Sequence, residues 1–251
     1  MTIDPNFFMF AIPAVLFAGM SKGGFGSAAS FAATPFLALI LEPGQAVGLM
    51  LPLLMVMDVT AIKMYWRKWD LRVAGVLIVG ALPGIILGTL LYGFADPNVF
   101  KFLIGLVAVG FVIWQLGKSR KLFPQPKREM GTKSGLFWGA MVGITSFISH
   151  AGGPPAAVYM LTKRLDKMTY QATSVLVFWA VNIMKVVPYS FVGIFSKQTL
   201  TADLMLLPFA VLGVLFGVWM HHKVSEKLFF GLTYVFLAVT GTKLIWEALA
   251  A

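Results

Sequence analysis

Two short stretches, Ser21-Lys-Gly-Gly-Phe-Gly-Ser27 and Ser149-His-Ala-Gly-Gly-Pro-Pro155, interrupt the apolar runs at about residues 7 to 41 and 135 to 162. Each run is too long for one membrane-spanning helix of roughly 20 residues. Split at its glycine pair, each leaves two arms of roughly 15 residues, about 22 Å at 1.5 Å per residue, which falls short of a hydrocarbon core of about 30 Å. Glycine-rich backbone at that depth survives only when buried in protein or lining a watery cavity. The two stretches therefore predict broken helical hairpins, and both breaks are candidate sites.

The surrounding sequence implies a lipid setting. Six further apolar runs lie at about 45 to 63, 72 to 93, 98 to 117, 170 to 194, 203 to 221 and 228 to 248, each near the length of one span. Of 251 residues, 59% are hydrophobic and 12% charged, with mean hydropathy +0.84, a composition that lipid solvates and that leaves no length for an ATPase domain or a soluble receptor. There is no cysteine, which removes disulfides and thiolate-held metals. Met1-Thr-Ile-Asp-Pro5 has no basic residue ahead of the first apolar run, so that run is expected to stay in the mature protein.

The formal charge of +10 is concentrated. Lys63, Arg67, Lys68 and Arg72, then Lys118 to Lys133, then Lys163, Arg164 and Lys167, then Lys223 and Lys227 hold 15 of the 20 basic residues. They lie between apolar runs, so no basic domain is left to hold nucleic acid, and the positive-inside rule assigns all four stretches to the cytoplasm. Both termini are then expected outside an inner membrane. Features also recur in order: Gly26 and Gly152, like Ala46 and Ala172, are 126 apart, and Gly84-x-x-x-Gly88 returns as Gly213-x-x-x-Gly217 after 129 residues. Small-x-x-x-small pairs mark ordinary close packing too, but with opposed span directions the set predicts an inverted duplication. The expected fold is an all-α polytopic membrane protein with two inverted-topology repeats, residues 1–125 and 126–251, each a broken helical hairpin plus three transmembrane helices. Eight spans, with the broken segments continuing through, are the alternative.

Candidate chemistry clusters at the breaks and on one span. Lys22 precedes Gly23, Gly24, Phe25 and Gly26, with Ser27 suited to cap a following helix; His150 precedes Gly152 and Gly153, and Pro154-Pro155 suits the first turn of a new helix. Helix starts of this kind point N–H groups and a positive dipole end at an anion. Asn182, Lys185 and Tyr189 share one helical face, at i, i+3 and i+7. Lys185 could instead only tie helices together by pairing with Asp58, read as the only carboxylate deep in a span. His150 and Asp58 are the candidates for proton coupling. His221-His222 projects at two different angles and is not expected to hold a metal. Gly24-x-Gly26-x-x-Ala29 lacks a βαβ setting for a dinucleotide, no phosphate-binding loop is present, and no cofactor is expected.

Gly19-Met-Ser-Lys-Gly-Gly-Phe-Gly26, Phe147-Ile-Ser-His-Ala-Gly-Gly-Pro-Pro155, Phe178-x-x-x-Asn182-x-x-Lys185 and Leu207-Pro208 with Gly213-x-x-x-Gly217 together resemble the TauE/SafE sulfite exporter family of membrane transporters. The likeness extends over essentially the whole chain. It implies a permease for anions of sulfur metabolism, such as sulfite, sulfoacetate or other organosulfonates. Where many members carry more glycine, this chain has Ser27-Ala28-Ala29. A permease for another small anion or carboxylate, or for a metal or other cation, is the alternative; a membrane enzyme would be expected to show H-E-x-x-H or a Ser/His pair in a recognisable setting, and neither is seen.

Overall fold

The computed structural model describes residues 2–25, 29–120, 122, 129–220 and 225–250. Among them all regular structure is helical. Helix α1 (Pro5–Met20) runs into a π-helical turn (Ser21–Phe25), and a 3₁₀ turn (Ser30–Ala32) leads to the short α2 (Ala33–Leu37). Then come α3 (Pro43–Met64), α4 (Leu71–Phe94), α5 (Pro97–Ser119), α6 (Thr132–Ser149), α7 (Gly153–Met160) with a 3₁₀ turn (Leu161–Lys163), α8 (Lys167–Phe191), α9 (Lys197–Met220) and α10 (Glu226–Leu249). Seven helical stretches among the described residues are long and apolar enough to cross a membrane: Pro5–Gly24, α3, α4, α5, α8, α9 and Leu228–Leu249. Large apolar side chains such as Ile86, Leu90, Leu212, Leu215, Val235 and Val239 are exposed, the surface a lipid-embedded bundle presents. The chain is a multi-pass α-helical membrane protein.

Local chemistry sets the helix starts. Asp4, Asp70, Asp96 and Asp166 each accept from backbone N–H groups in the first turn of the helix that follows, and Ser225 does so for α10. Such caps are worth about 1 kcal/mol each. The six expected spans all form. The largest departures from the hydropathy reading are at the breaks and at the start of α9. The first arm continues past Ser21 into the π-helical turn and reaches about 20 residues, because Gly23 and Gly24 let it lie directly against the backbone of α9. The arms after the breaks are correspondingly shorter than 15 residues, with helices of five and eight. Helix α9 starts at Lys197 rather than 203, which carries Asp203 inside the bundle.

Both broken regions turn back. The Met130 N–H donates to Thr162 Oγ1 at 3.3 Å and Lys163 Nζ donates to Met130 O at 2.6 Å, so the end of the second hairpin returns to the start of α6. Phe36, late in the first hairpin, has its ring 5.8 Å from that of Phe10 in α1.

Packing follows one pattern in both halves. Helix α4 lies along α6 and α9 along α1; α4 also meets α8, α9 meets α3, and α5·α10 and α3·α8 complete the set. A Cβ on Gly84 would stand 2.0 Å from Ala140 O and one on Gly213 2.8 Å from Leu16 O; one on Gly143 would stand 2.2 Å from Ala81 O and one on Gly19 2.9 Å from Ala210 O. Exchanging the halves leaves this pairing unchanged.

The connections sort by charge. The Asp70 N–H donates to Thr173 Oγ1 at 2.9 Å, which brings the α3–α4 connection beside the start of α8, and Gln115 Nε2 donates to Tyr234 OH at 2.5 Å, which brings the start of α10 beside the end of α5. At the opposite end of that pair, Lys101 forms an ion pair with Glu247. The connections that carry Arg67, Arg120 and Arg164 therefore gather at one end of the bundle, while the start of α1 and the end of α10 lie toward the other.

Candidate functional site

Helices α3 and α8 cross at the centre, and each hairpin brings its tip to them. Both helices are apolar enough to stay buried, so every polar side chain they turn inward must find a partner there. Two adjoining polar groups result, one on each hairpin tip.

The first is an ion pair with a neutral support. Lys22, on the π-helical turn, is only 2% exposed, and its Nζ donates to Asp58 Oδ1 and, at 3.3 Å, to Leu54 O of α3. Asp58 is fully buried, and its other oxygen accepts from Asn182 Nδ2 at 2.7 Å. Both carboxylate oxygens are thus satisfied, and Lys22 is neutralised rather than left at an interface. Asp58 does not pair with Lys185, which corrects the alternative weighed from the sequence.

The second group holds a lysine without an acid. Lys185 is fully buried; its Nζ donates to Ser146 O at 3.0 Å and to His150 Nδ1 at 2.7 Å, and it lies 5.7 Å from the centroid of the Tyr189 ring. His150 Nε2 is 3.0 Å from Val47 O, a carbonyl that can only accept, so this nitrogen carries the proton and Nδ1 accepts from Lys185. Tyr189 OH donates to Phe147 O at 2.7 Å. Among the described residues no carboxylate lies within ion-pair distance of Lys185. His150 itself caps α6 with φ 57°, a left-handed backbone that is uncommon outside glycine and frequent at functional sites. Both groups join the halves of the chain, through Asp58 to Asn182 and through His150 to Val47.

The backbone near the breaks contributes less than helix starts would. A Cβ on Gly23 would stand 2.1 Å from Val214 O and one on Gly24 2.1 Å from Gly217 O, so these glycines serve close packing on α9. Gly152 is confined by Phe178, Val142 and Ser146, and Gly153 opens α7. Pro154 and Pro155 follow it and bring no N–H to the first turn. Gly26 and Ser27 lie outside the described residues, as do His221 and His222; Phe25 ends the π-helical turn. Three further polar side chains were not singled out from the sequence: Ser149 Oγ and Thr34 Oγ1 are buried without hydrogen-bond partners, and so are both oxygens of Asp203. Ser149 adjoins His150, which was signal enough to find it. Asp203 corrects the reading of Asp58 as the only deep carboxylate.

The arrangement suits an anion: a buried lysine amine with no acid beside it, hydrogen-bonded to an imidazole, and an unpartnered buried hydroxyl on the residue preceding that histidine. A family model described as sulfite exporter TauE/SafE matches residues 11–244. Neither a curated relative nor a solved structure matches the chain.

Proposed function

Because the chain belongs to the sulfite exporter TauE/SafE family, whose members are membrane permeases, we propose that it is a secondary permease for a small sulfur-containing anion such as sulfite, sulfoacetate or another organosulfonate. The observation that carries this reading is Lys185, wholly buried between the halves and held only by Ser146 O and His150 Nδ1. A bound anion supplies the counter-charge that lets the Lys185 amine hold its proton, and the buried Ser149 hydroxyl is free to donate. The Lys22–Asp58–Asn182 chain forms the adjoining wall and takes no net charge from the substrate. The role is carriage without chemical change.

Two halves, 1–125 and 126–251, related by an inverted duplication account for the repeated packing and for a site at their junction. The basic end faces the cytoplasm by the positive-inside rule, placing both termini outside. The test is counterflow in reconstituted vesicles, with labelled sulfite, an organosulfonate, sulfate and a divalent cation as separate probes. Sulfur-anion counterflow that disappears in Lys185→Ala is expected. Flux of the divalent cation, or anion counterflow unchanged in Lys185→Ala, would overturn the reading.

A further inference from the structure

The starting point is Asp203, which the anion site does not use. It lies in the second turn of α9 on the face formed by Leu206, Ala210, Gly213, Val214 and Gly217, the face that packs on α1 and the π-helical turn. It is 5% exposed, and neither carboxylate oxygen has a hydrogen-bond partner.

No neighbouring element supplies a charge to it. Helix α1 carries no ionisable side chain between Pro5 and Met20, and Asp4 at its start, an acceptor that caps the Phe7 N–H, offers Asp203 no positive charge. The π-helical turn carries Lys22, which is committed to Asp58; α3 carries Asp58 and Lys63, with Glu42 at its start; α9 itself carries Lys197, which is exposed. Among the described residues none of these lysines lies within ion-pair distance of Asp203. Thr199, one turn earlier on α9, donates its hydroxyl to Ser196 O at 3.0 Å and has none left to give.

Packing does not call for an acid here. Gly84 and Gly213 make corresponding contacts 129 residues apart, and the same offset places Ala74 opposite Asp203. Ala74 is buried in α4, so the equivalent position in the other half is filled by a methyl group. The carboxylate is an addition to the packing, and the one form this closed surrounding can hold is the neutral acid, because an ionised carboxylate buried without donors is strongly disfavoured. Admitting water or a cation beside it releases the proton. A group whose charge depends on whether its surroundings are shut or open is what a proton-linked carrier requires.

We propose that Asp203 binds and releases the proton in proton-linked movement of the anion, a role that rests on the permease reading above. Val214 packs at the level of Gly23, next to Lys22, and is eleven residues from Asp203, about 16 Å along the helix. Proton and anion are therefore held at separate places, the proton nearer the end of the bundle that lacks the basic connections.

Two measurements test this. Dicyclohexylcarbodiimide modifies protonated carboxylates in apolar surroundings, and mass spectrometry of the reconstituted native protein should show Asp203 modified near pH 6, with modification declining as the pH is raised. In vesicles, net flux of whichever sulfur anion gives counterflow should respond to an imposed pH gradient in the native protein. In Asp203→Asn, and in Asp203→Ala, which reproduces the residue of the other half, that response should vanish while counterflow persists. An unmodified Asp203 at pH 6, or variants whose net flux follows the pH gradient as the native protein's does, overturns the proposal. Absence of counterflow in the native protein for every anion overturns the permease reading and the coupling with it, whereas counterflow with pH-indifferent net flux overturns the Asp203 role alone.

Discussion

A lysine amine held only by a carbonyl and an imidazole has no counter-charge in a low-dielectric interior until an anion binds, so removing Lys185 should separate binding from folding. Lys185→Met is expected to keep or raise the melting temperature in detergent while weakening anion binding by roughly 10- to 100-fold, the loss of about 1.5–3 kcal/mol carried by a hydrogen bond to a charged group. Titration calorimetry on the same preparation reads the affinity. Lys22 should behave in the opposite way. Lys22→Met strands Asp58 as an unpaired buried charge and should cost about 3–5 kcal/mol of stability, and adding Asp58→Asn should recover most of it. A double variant no more stable than the single one would show that the pair does not hold α1 to α3. Lys22, Asp58, His150, Asn182 and Lys185 were all identifiable in the sequence, because an ionisable or amide side chain inside an apolar run has few innocent explanations. Their partners were not, since spacing along one helix says nothing about which residue of another it meets, and Asp58 went to Lys22 rather than to Lys185. Asp203 was misplaced for a different reason: the apolar run begins at 203, which put its carboxylate at the mouth of a span, whereas α9 starts at Lys197 and carries it inside.

Glycine in these helices has two meanings that hydropathy cannot separate. Gly23, Gly84 and Gly143 stand where a Cβ would meet a backbone oxygen at 2.1, 2.0 and 2.2 Å, so alanine at any of them must push two helices apart. Each such substitution should cost more than the roughly 1–3 kcal/mol typical of overpacking, because backbone cannot rotate away. Gly75 and Gly110 have nothing within 4 Å of the Cβ position, and alanine there should stabilise by about 0.5–1 kcal/mol through helix propensity alone. Expression level and melting temperature of the five variants check both signs. Clean expression of Gly23→Ala with lost transport would return that glycine to a binding role. The same ambiguity explains what the sequence could convey about the hairpins. Their existence and position were readable from interrupted apolar runs; their lengths were not, because Gly23 and Gly24 permit both a break and a close approach, and the packing of α9 selects the second.

The bundle has a basic end and an end that carries both termini, and the absence of native cysteine makes that asymmetry directly measurable. Cysteine placed at Thr2 should react with an impermeant thiol reagent in intact cells, and cysteine at Arg67 only after permeabilisation; the reverse would invert the proposed orientation. Orientation in turn fixes the sign of the electrical work. A monoanion crossing alone moves one charge, and a potential of 100 mV biases its distribution by about 2.3 kcal/mol, roughly fifty-fold. A negative interior then drives export with no coupling, and import against it needs at least one proton per monoanion. If Asp203 carries that proton, charge moved by the anion is cancelled, and net flux through the native protein should ignore a clamped potential of either sign while following the pH gradient. Asp203→Ala removes the proton but leaves Lys185 and its neighbours intact, so its net flux should become potential-driven, outward under a negative interior and inward when the sign is reversed. Vesicles clamped with a potassium gradient and an ionophore give both readings from one preparation. Native flux that tracks the potential, with Asp203→Ala indistinguishable from it, would mean that the anion travels alone and that its own gradient and the membrane voltage supply the whole driving force.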